Sequence, residues 1–166
     1  YHRETLALVG IGWLMTAFYG ALPYVLSGEL AFDSAYFESM SGFTTTGATV
    51  LDDIESLPKS LLFWRSFTHW LGGLGIILLL IIILPFLGAG GKLLYRSEMP
   101  GLDKSSIRPR IKDSAIILLK IYLFLTVSLT LLLWVSGMSL FDSLCHTFAT
   151  LATGGFSTRQ NSIAAF

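Results

Sequence analysis

Two short segments rich in threonine and glycine carry the residue types and spacing best suited to binding an ion. They comprise Thr45, Thr46, Gly47, Ala48 and Thr49 in the first half of the chain, and Ala152, Thr153, Gly154, Gly155 and Phe156 near its end. Glycine permits backbone turns that aim successive carbonyl oxygens at an ion, and threonine adds a hydroxyl oxygen. Oxygens arranged in this way replace the hydration shell of a potassium ion. We therefore predict that both segments bind a cation, such as potassium, as a substrate, with no cofactor.

The other reactive side chains do not form a pattern typical of catalysis or of a metal centre. His69 and His146 lack acidic or thiol partners at a metal-ligand spacing, so we expect both to be packed or interfacial histidines. Cys145 is the single cysteine, which excludes an internal disulfide. It points to a different helix face from His146, its neighbour in sequence. We predict no catalytic residue, and hence no enzyme.

Two charged residues near the first segment allow two interpretations. Glu38 and Arg65 either form an ion pair that braces the structure behind the segment, or are solvated at the outer membrane interface. Because the sequence alone does not distinguish them, both interpretations remain open at this stage.

The surroundings of the two segments form an approximate repeat. A Phe-Asp-Ser triplet begins each copy, at residues 32–34 and 141–143, and a Thr-Gly pair follows at residues 46–47 and 153–154. The triplets are 109 residues apart and the pairs 107 apart, so the alignment needs a gap of two residues. Each copy predicts a half-length helix followed by an extended segment. Non-helical backbone at membrane depth must be buried in protein or reached by water, so this pattern predicts a carbonyl-lined pore.

The composition indicates that these elements lie in a membrane. The chain has 166 residues, of which 53% are hydrophobic and only 13% are charged, whereas about a quarter of a soluble domain is charged. Residues 5–28, 66–91 and 121–141 are free of acidic and basic side chains. A helix of about 20 residues crosses the hydrocarbon core. We therefore predict three spans and an all-α integral membrane fold.

The distribution of charge predicts the orientation. Residues 29–59 contain six acidic side chains and one base, whereas residues 92–112 contain six of the eleven basic side chains. By the positive-inside rule, residues 92–112 are cytoplasmic and the acidic segment faces outside. Met99-Pro100-Gly101 and Arg108-Pro109 predict that the basic loop is irregular. The net charge of zero gives no reason to expect a nucleic-acid partner.

Several ordered motifs together resemble those of the Trk/Ktr/HKT superfamily of potassium uptake proteins, and are most similar to the bacterial TrkH type. They are Ser-Gly-Phe-Thr-Thr-Thr-Gly-Ala-Thr at residues 41–49, Phe-Trp-Arg at 63–65, Trp-Leu-Gly-Gly-Leu-Gly-Ile at 70–76 and Ala-Thr-Gly-Gly-Phe-Ser at 152–157. The resemblance implies four helix, pore loop, helix repeats around one pore. It divides the chain into a first repeat at residues 1–95, a cytoplasmic basic loop at 96–112 and the start of a second repeat at 113–166.

The same resemblance implies the boundaries of the elements within these repeats. In the first repeat it implies a helix at residues 5–26, a pore helix at 30–43, a filter strand at 45–49 and a second helix at 59–95. In the second it implies a helix at 113–137 and a filter at 152–156. We expect both ends of the chain to be cuts in a longer protein.

The resemblance further implies potassium translocation through a selectivity filter in the bacterial inner membrane, by a multi-pass protein. The implied partners are membrane lipid, a second copy of the full-length chain, and a cytosolic nucleotide-binding regulatory ring. Transport of sodium or of mixed monovalent cations is the alternative, although glycine at both 47 and 154 favours potassium, since serine in the first repeat is associated with sodium preference in the superfamily. An intramembrane enzyme and a nonfunctional truncated fragment also stay open as interpretations.

Overall fold

The chain is built from five α-helices and one short 3₁₀ helix within residues 2–87 and 107–166, the parts that this computed structural model describes. The helices are α1 (His2–Leu26), α2 (Phe32–Phe43), α3 (Lys59–Leu87), α4 (Ile107–Val135), α5 (Leu140–Leu151) and the 3₁₀ helix (Ser162–Ala165). These two ranges contain no β-strand. The predicted all-α class is confirmed.

Most predicted helix boundaries agree with the structure, with one clear exception. The helix predicted at residues 113–137 begins six residues earlier, at Ile107. The prediction of irregular structure at Arg108-Pro109 is therefore wrong. Pro109 lies in the first turn of α4, where backbone N–H groups have no helical partner and proline is tolerated. The second helix, predicted to reach residue 95, is described as far as Leu87, and residues 92–106 of the basic loop lie outside the described ranges.

The two half-length helices begin differently although each carries an aspartate in its first turn. Ser139 caps α5, since its hydroxyl oxygen accepts a hydrogen bond from the Asp142 backbone N–H at 3.1 Å. Ser139 and Asp142 have the spacing of a Ser-x-x-Asp cap. Helix α2 has Ala31 at the corresponding position, without a side-chain cap, and Asp33 lies in its first turn. The negative charge of each aspartate complements the exposed N–H groups at the helix start.

Two helices in the described ranges are long and apolar enough to cross a membrane. They are residues Ala7–Leu26 of α1, with a mean hydropathy of 1.4, and Ala115–Val135 of α4, with 2.4. The third predicted span, at residues 66–91, continues beyond the described residues and stays a prediction. The first half of α3 is less apolar because it contains the polar residues Arg65, Ser66 and His69. All three are buried in the protein interior.

The described residues fall into two compact units. The first contains α1, α2, the beginning of α3, the end of α4 and α5, since it comprises the residues up to Gly73 together with Leu125–Phe166. Its apolar core is formed by Ala21, Tyr24, Ala35, Ile54, Leu57, Leu61 and Leu62. The second unit contains the described residues between Leu74 and Phe124. Both threonine- and glycine-rich segments belong to the first unit.

Glycines of α1 and α3 allow both helices to approach the first pore helix closely. A Cβ atom on Gly20 of α1 would overlap the Phe43 ring and the Ser39 hydroxyl of α2. A Cβ atom on Gly72 of α3 would overlap the carbonyl oxygen of Phe43. Glycine at position 72 therefore allows α3 to pack against the end of α2, in agreement with the use of small residues at transmembrane helix contacts.

Candidate ion-binding site

The two half-length helices end in the same hydrogen-bonded turn. In the first copy the backbone N–H groups of Thr44, Thr45 and Thr46 donate to the carbonyls of Met40, Gly42 and Ser41. In the second copy those of Ala152, Thr153 and Gly154 donate to the carbonyls of Phe148, Thr150 and Ala149. Each set contains the paired bonds of a Schellman motif, which normally ends a helix at a glycine in the left-handed conformation.

This shared turn fixes the register of the repeat. Every residue of the first turn lies 108 positions before its counterpart in the second, as do the starts of α2 and α5. The predicted gap of two residues is therefore wrong. The structural counterpart of Gly47 is Gly155, and Thr46 corresponds to Gly154. The two Phe-Asp-Ser triplets are one residue out of register.

Threonine occupies the left-handed position of both turns. Thr45 and Thr153 each have φ of 56°. A residue other than glycine pays roughly 1–2 kcal/mol in this conformation, and a β-branched residue is unusual there. Because strained backbone of this kind is concentrated at functional sites, threonine at both positions supports a functional role for the two segments.

The backbone changes handedness along each segment. Gly47 and Gly155 have φ of 77° and 85°, two residues after the left-handed threonines, whereas Thr46 between Thr45 and Gly47 does not have a positive φ. The predicted filter strands are thus not regular β-strands, because β-structure requires negative φ throughout. Alternation of this kind turns the carbonyls of neighbouring residues away from the arrangement of a β-ladder.

The two segments approach each other at their glycines. A Cβ atom on Gly47 would overlap the carbonyl oxygen of Gly154, and one on Gly154 would overlap the ring of His69. A Cβ atom on Gly155 would meet nothing within 4 Å. The predicted site residues from both copies therefore lie close together, with Gly47 at their point of contact.

A buried ion pair lies behind the first segment. Arg65 Nε donates to Glu38 Oε1 at 2.6 Å, and the two side chains are 2% and 0% exposed. Glu38 also accepts hydrogen bonds from the Thr49 hydroxyl, at 2.9 and 3.0 Å to its two oxygens, and from the Val50 N–H at 3.1 Å. The predicted ion pair is confirmed, and the alternative of two solvated side chains is wrong.

A histidine takes the place of this glutamate in the second copy. His146 corresponds to Glu38, and its Nε2 lies 3.0 Å from the hydroxyl of Ser157, which corresponds to Thr49. Its Nδ1 lies 2.8 Å from the Asp142 carbonyl, so we assign the proton to Nδ1 and let Nε2 accept from Ser157. In both copies a side chain of the pore helix thus forms a hydrogen bond with the hydroxyl of the residue four positions after the left-handed threonine.

The remaining predicted candidates occupy structural positions. His69 is fully buried and stacks on Phe156, with ring centroids 3.9 Å apart. Neither of its ring nitrogens has a hydrogen-bond partner in the described part of the chain. His69 and His146 are packed histidines, as predicted. Cys145 is buried and free, and the described residues contain no cluster of three or more His, Cys, Asp or Glu side chains that could hold a metal ion.

Several contacts of the site were not predicted from the sequence. The Ser41 hydroxyl donates to the Ala48 carbonyl at 2.6 Å, so one predicted ligand oxygen already has a protein partner. Gln160 joins the loop after the first segment to the end of the second, donating to the Asp52 carbonyl and accepting from the Ile54 N–H. Arg159 pairs with Glu55 at 3.1 Å nearby, where both side chains are about half exposed. A repeat register of 108 would have indicated Ser157 as the counterpart of Thr49, but nothing in the sequence indicates the contacts of Ser41, Gln160 and Arg159.

Comparison with known proteins decides the family. The model of the TrkH family, described as cation transport proteins, matches residues 3–166. The chain belongs to the TrkH family. It is 49% identical to the Trk system potassium uptake protein TrkH of Escherichia coli K12, over 99% of this chain and 35% of the relative. It is 41% identical to the Trk system potassium uptake protein TrkG of the same organism, over 99% of this chain and 34% of that protein.

A solved structure supports the same conclusion for the fold. The crystal structure of the potassium transporter TrkH from Vibrio parahaemolyticus superimposes with a TM-score of 0.82 at 40% identity, covering 99% of this chain and 32% of that chain. The predicted fold class, an all-α membrane protein with pore-loop helix repeats, is confirmed by this match. The chain spans about one third of the length of the relatives that it matches.

Proposed function

We propose that the full-length protein containing this chain, called the parent protein below, translocates potassium ions across a membrane. In this proposal residues 45–49 and 152–156 form two sides of a selectivity filter. The observation that carries it is the contact of two identically folded turns, in which strained threonines precede glycines of positive φ and Gly47 meets the Gly154 carbonyl.

The orientation of the two pore helices favours a cation. Helices α2 and α5 both end at the segments, so the negative ends of their dipoles lie beside the proposed ion path. Each has 12 residues, which at 1.5 Å per residue gives about 18 Å, roughly half the thickness of a membrane. A cation at the end of such a helix would lie near the membrane centre, where stabilisation by carbonyls is needed most.

The choice of potassium as the transported ion rests on the names of the relatives. Two of them are potassium uptake proteins of a Trk system and the solved neighbour is a potassium transporter. Glycine at positions 47 and 154 agrees with potassium rather than sodium as the preferred ion, as the superfamily resemblance implies.

The location and partners are part of the same proposal. The parent protein would lie in the bacterial inner membrane as a multi-pass protein and would form a homodimer. A cytosolic nucleotide-binding ring would regulate it at the face that carries basic residues 92–112. These basic residues would also interact with anionic lipid headgroups.

Ion flux in liposomes tests the proposal. The parent protein is reconstituted into liposomes, and uptake of potassium, rubidium, sodium and lithium is compared with that of protein-free liposomes. We expect potassium and rubidium to enter faster than sodium and lithium. Equal rates for all four ions would favour a mixed cation transporter, and faster sodium than potassium would contradict the proposal.

A further inference from the structure

One guanidinium group contacts structure from both copies of the repeat. Arg65 is 1% exposed. Its Nε donates to Glu38 at 2.6 Å, and its Nη1 donates to the Ser157 carbonyl at 3.0 Å. Its Cζ lies 3.6 Å from the centre of the Phe156 ring. The side chain therefore touches the pore helix of the first copy and the segment of the second copy at the same time.

Glu38 extends this connection to the first segment. Its carboxylate accepts from the Thr49 hydroxyl and from the Val50 N–H, at the C-terminal end of that segment. A continuous set of hydrogen bonds therefore runs from Thr49 through Glu38 and Arg65 to Ser157. Thr49 and Ser157 are structural counterparts, so the set joins equivalent points of the two copies.

The chemistry of this connection requires arginine. A planar guanidinium directs N–H donors along fixed, different directions and stacks on an aromatic ring, whereas the ammonium of lysine is a compact point charge. Stability alone is a weak reason to bury such a pair, because removing two charges from water costs about as much as their attraction returns. A role in fixing geometry accounts better for its position.

We propose that Arg65 and Glu38 are positioning residues, which set the separation of the two segments at their C-terminal ends and thereby the preference for potassium over sodium. The inference rests on the proposed function. A filter distinguishes ions through the number and placement of its oxygens, so a change in the separation of the segments alters the preference without removing a ligand.

Two variants of the parent protein test this role. Arg65→Lys keeps the positive charge beside Glu38 but cannot maintain both the contact with the Ser157 carbonyl and the stacking on Phe156. Thr49→Val removes one hydroxyl donor to Glu38 with little change in volume, and leaves the ion pair and the Thr49 carbonyl in place. The hydroxyl that it removes is already engaged by Glu38 and by the Leu51 N–H, so a changed ratio reports on position and not on a lost ion ligand. The matched controls are Thr16→Val and Thr130→Val, whose hydroxyls donate to the Gly12 and Thr126 carbonyls within α1 and α4.

The readout is the ratio of potassium to sodium flux in liposomes, with the amount of inserted protein measured for each variant. We expect both test variants to lower the ratio by about threefold or more, and both controls to keep the wild-type ratio. A purely structural role would reduce the amount of protein and leave the ratio unchanged.

The outcomes separate this inference from the function on which it rests. A wild-type protein that prefers potassium, with test variants that insert and keep its ratio, would overturn the positioning role alone. If Arg65→Lys fails to insert, Thr49→Val decides by the same criterion. A wild-type protein without preference for potassium would contradict the proposed function, and this inference with it.

Discussion

At the scale of single residues, the threonine in the left-handed position is the most informative feature of the site. Glycine would end each pore helix without strain, yet Thr45 and Thr153 both have φ of 56°. A threonine retained in this conformation suggests that its hydroxyl or its rigid backbone is needed. The sequence singled out these two segments because threonine and glycine are residue types that suit a filter, and ion binding by them stays a prediction.

The sequence did not predict which glycines correspond. Aligning the two Thr-Gly pairs makes Gly47 equivalent to Gly154 in the repeat. In the structure the residue equivalent to Gly47 is Gly155, although Gly47 contacts Gly154 in space. The difference arises because threonine, and not glycine, fills the left-handed position at the end of the helix, so glycine is not a reliable marker of the turn. Hydrogen bonds of the backbone settle the register, and these cannot be read from residue types.

Gly154 is therefore expected to have a packing role that Gly155 does not share. Gly154→Ala would place a Cβ atom in the ring of the buried His69, so we expect a loss of about 1–3 kcal/mol in stability, as for other overpacked interiors. Thermal unfolding of the purified parent protein in detergent measures it. Combined with His69→Ala, the change should cost less than the sum of the two single variants, because the smaller side chain leaves room.

Additive losses in this double variant would contradict the predicted contact. They would mean that Gly154 and His69 do not touch in the full-length protein.

At the scale of elements, the sequence predicted the helices well. The charge-free stretches locate the three long helices, whereas the boundaries that lie near the observed helix ends come from the family resemblance. The predicted start of α4 is too late, because proline usually interrupts a helix, whereas Pro109 lies in a first turn that accepts it. The buried ion pair between α2 and α3 remained one of two interpretations, since a sequence does not indicate which charged side chains meet.

The contact between α3 and the end of α2 provides a prediction about these elements. Gly72→Ala should destabilise the parent protein by about 1–3 kcal/mol, because the added Cβ atom would overlap the Phe43 carbonyl oxygen, which is fixed at the helix end. Gly10→Ala in α1 is the matched control, since a Cβ atom there meets nothing within 4 Å. Thermal unfolding of both variants in the same detergent makes the comparison. Equal unfolding temperatures would show that α3 does not pack so closely on α2.

At the scale of the whole molecule, the orientation in the membrane rests on charge alone. The acidic loop between α2 and α3 and the basic residues 92–112 predict opposite sides of the membrane. The structure adds that Asp52 and Asp53 in the acidic loop are exposed. It does not describe residues 92–106, so the location of the basic loop stays a prediction.

Labelling of introduced cysteines tests this orientation. In intact cells, a cysteine at position 52 of the parent protein should react with a membrane-impermeant maleimide, and a cysteine at position 105 should react only after the membrane is opened. Native Cys145 should contribute little background, because it is 1% exposed. The reverse pattern of labelling would invert the predicted topology.

The most direct measurement of the central claim is the ion preference of a Gly47 variant of the parent protein. Gly47→Ser adds a side chain at the contact with the Gly154 carbonyl, and Gly28→Ser is the matched control, because Gly28 has nearly the same φ, 78° against 77°, but open space around it. We expect Gly47→Ser to lower the ratio of potassium to sodium flux by about tenfold, equivalent to about 1.4 kcal/mol, and Gly28→Ser to leave the ratio unchanged. Gly155→Ser should act in the same direction as Gly47→Ser. If Gly47→Ser inserts normally and keeps the wild-type ratio, the two segments do not form a selectivity filter.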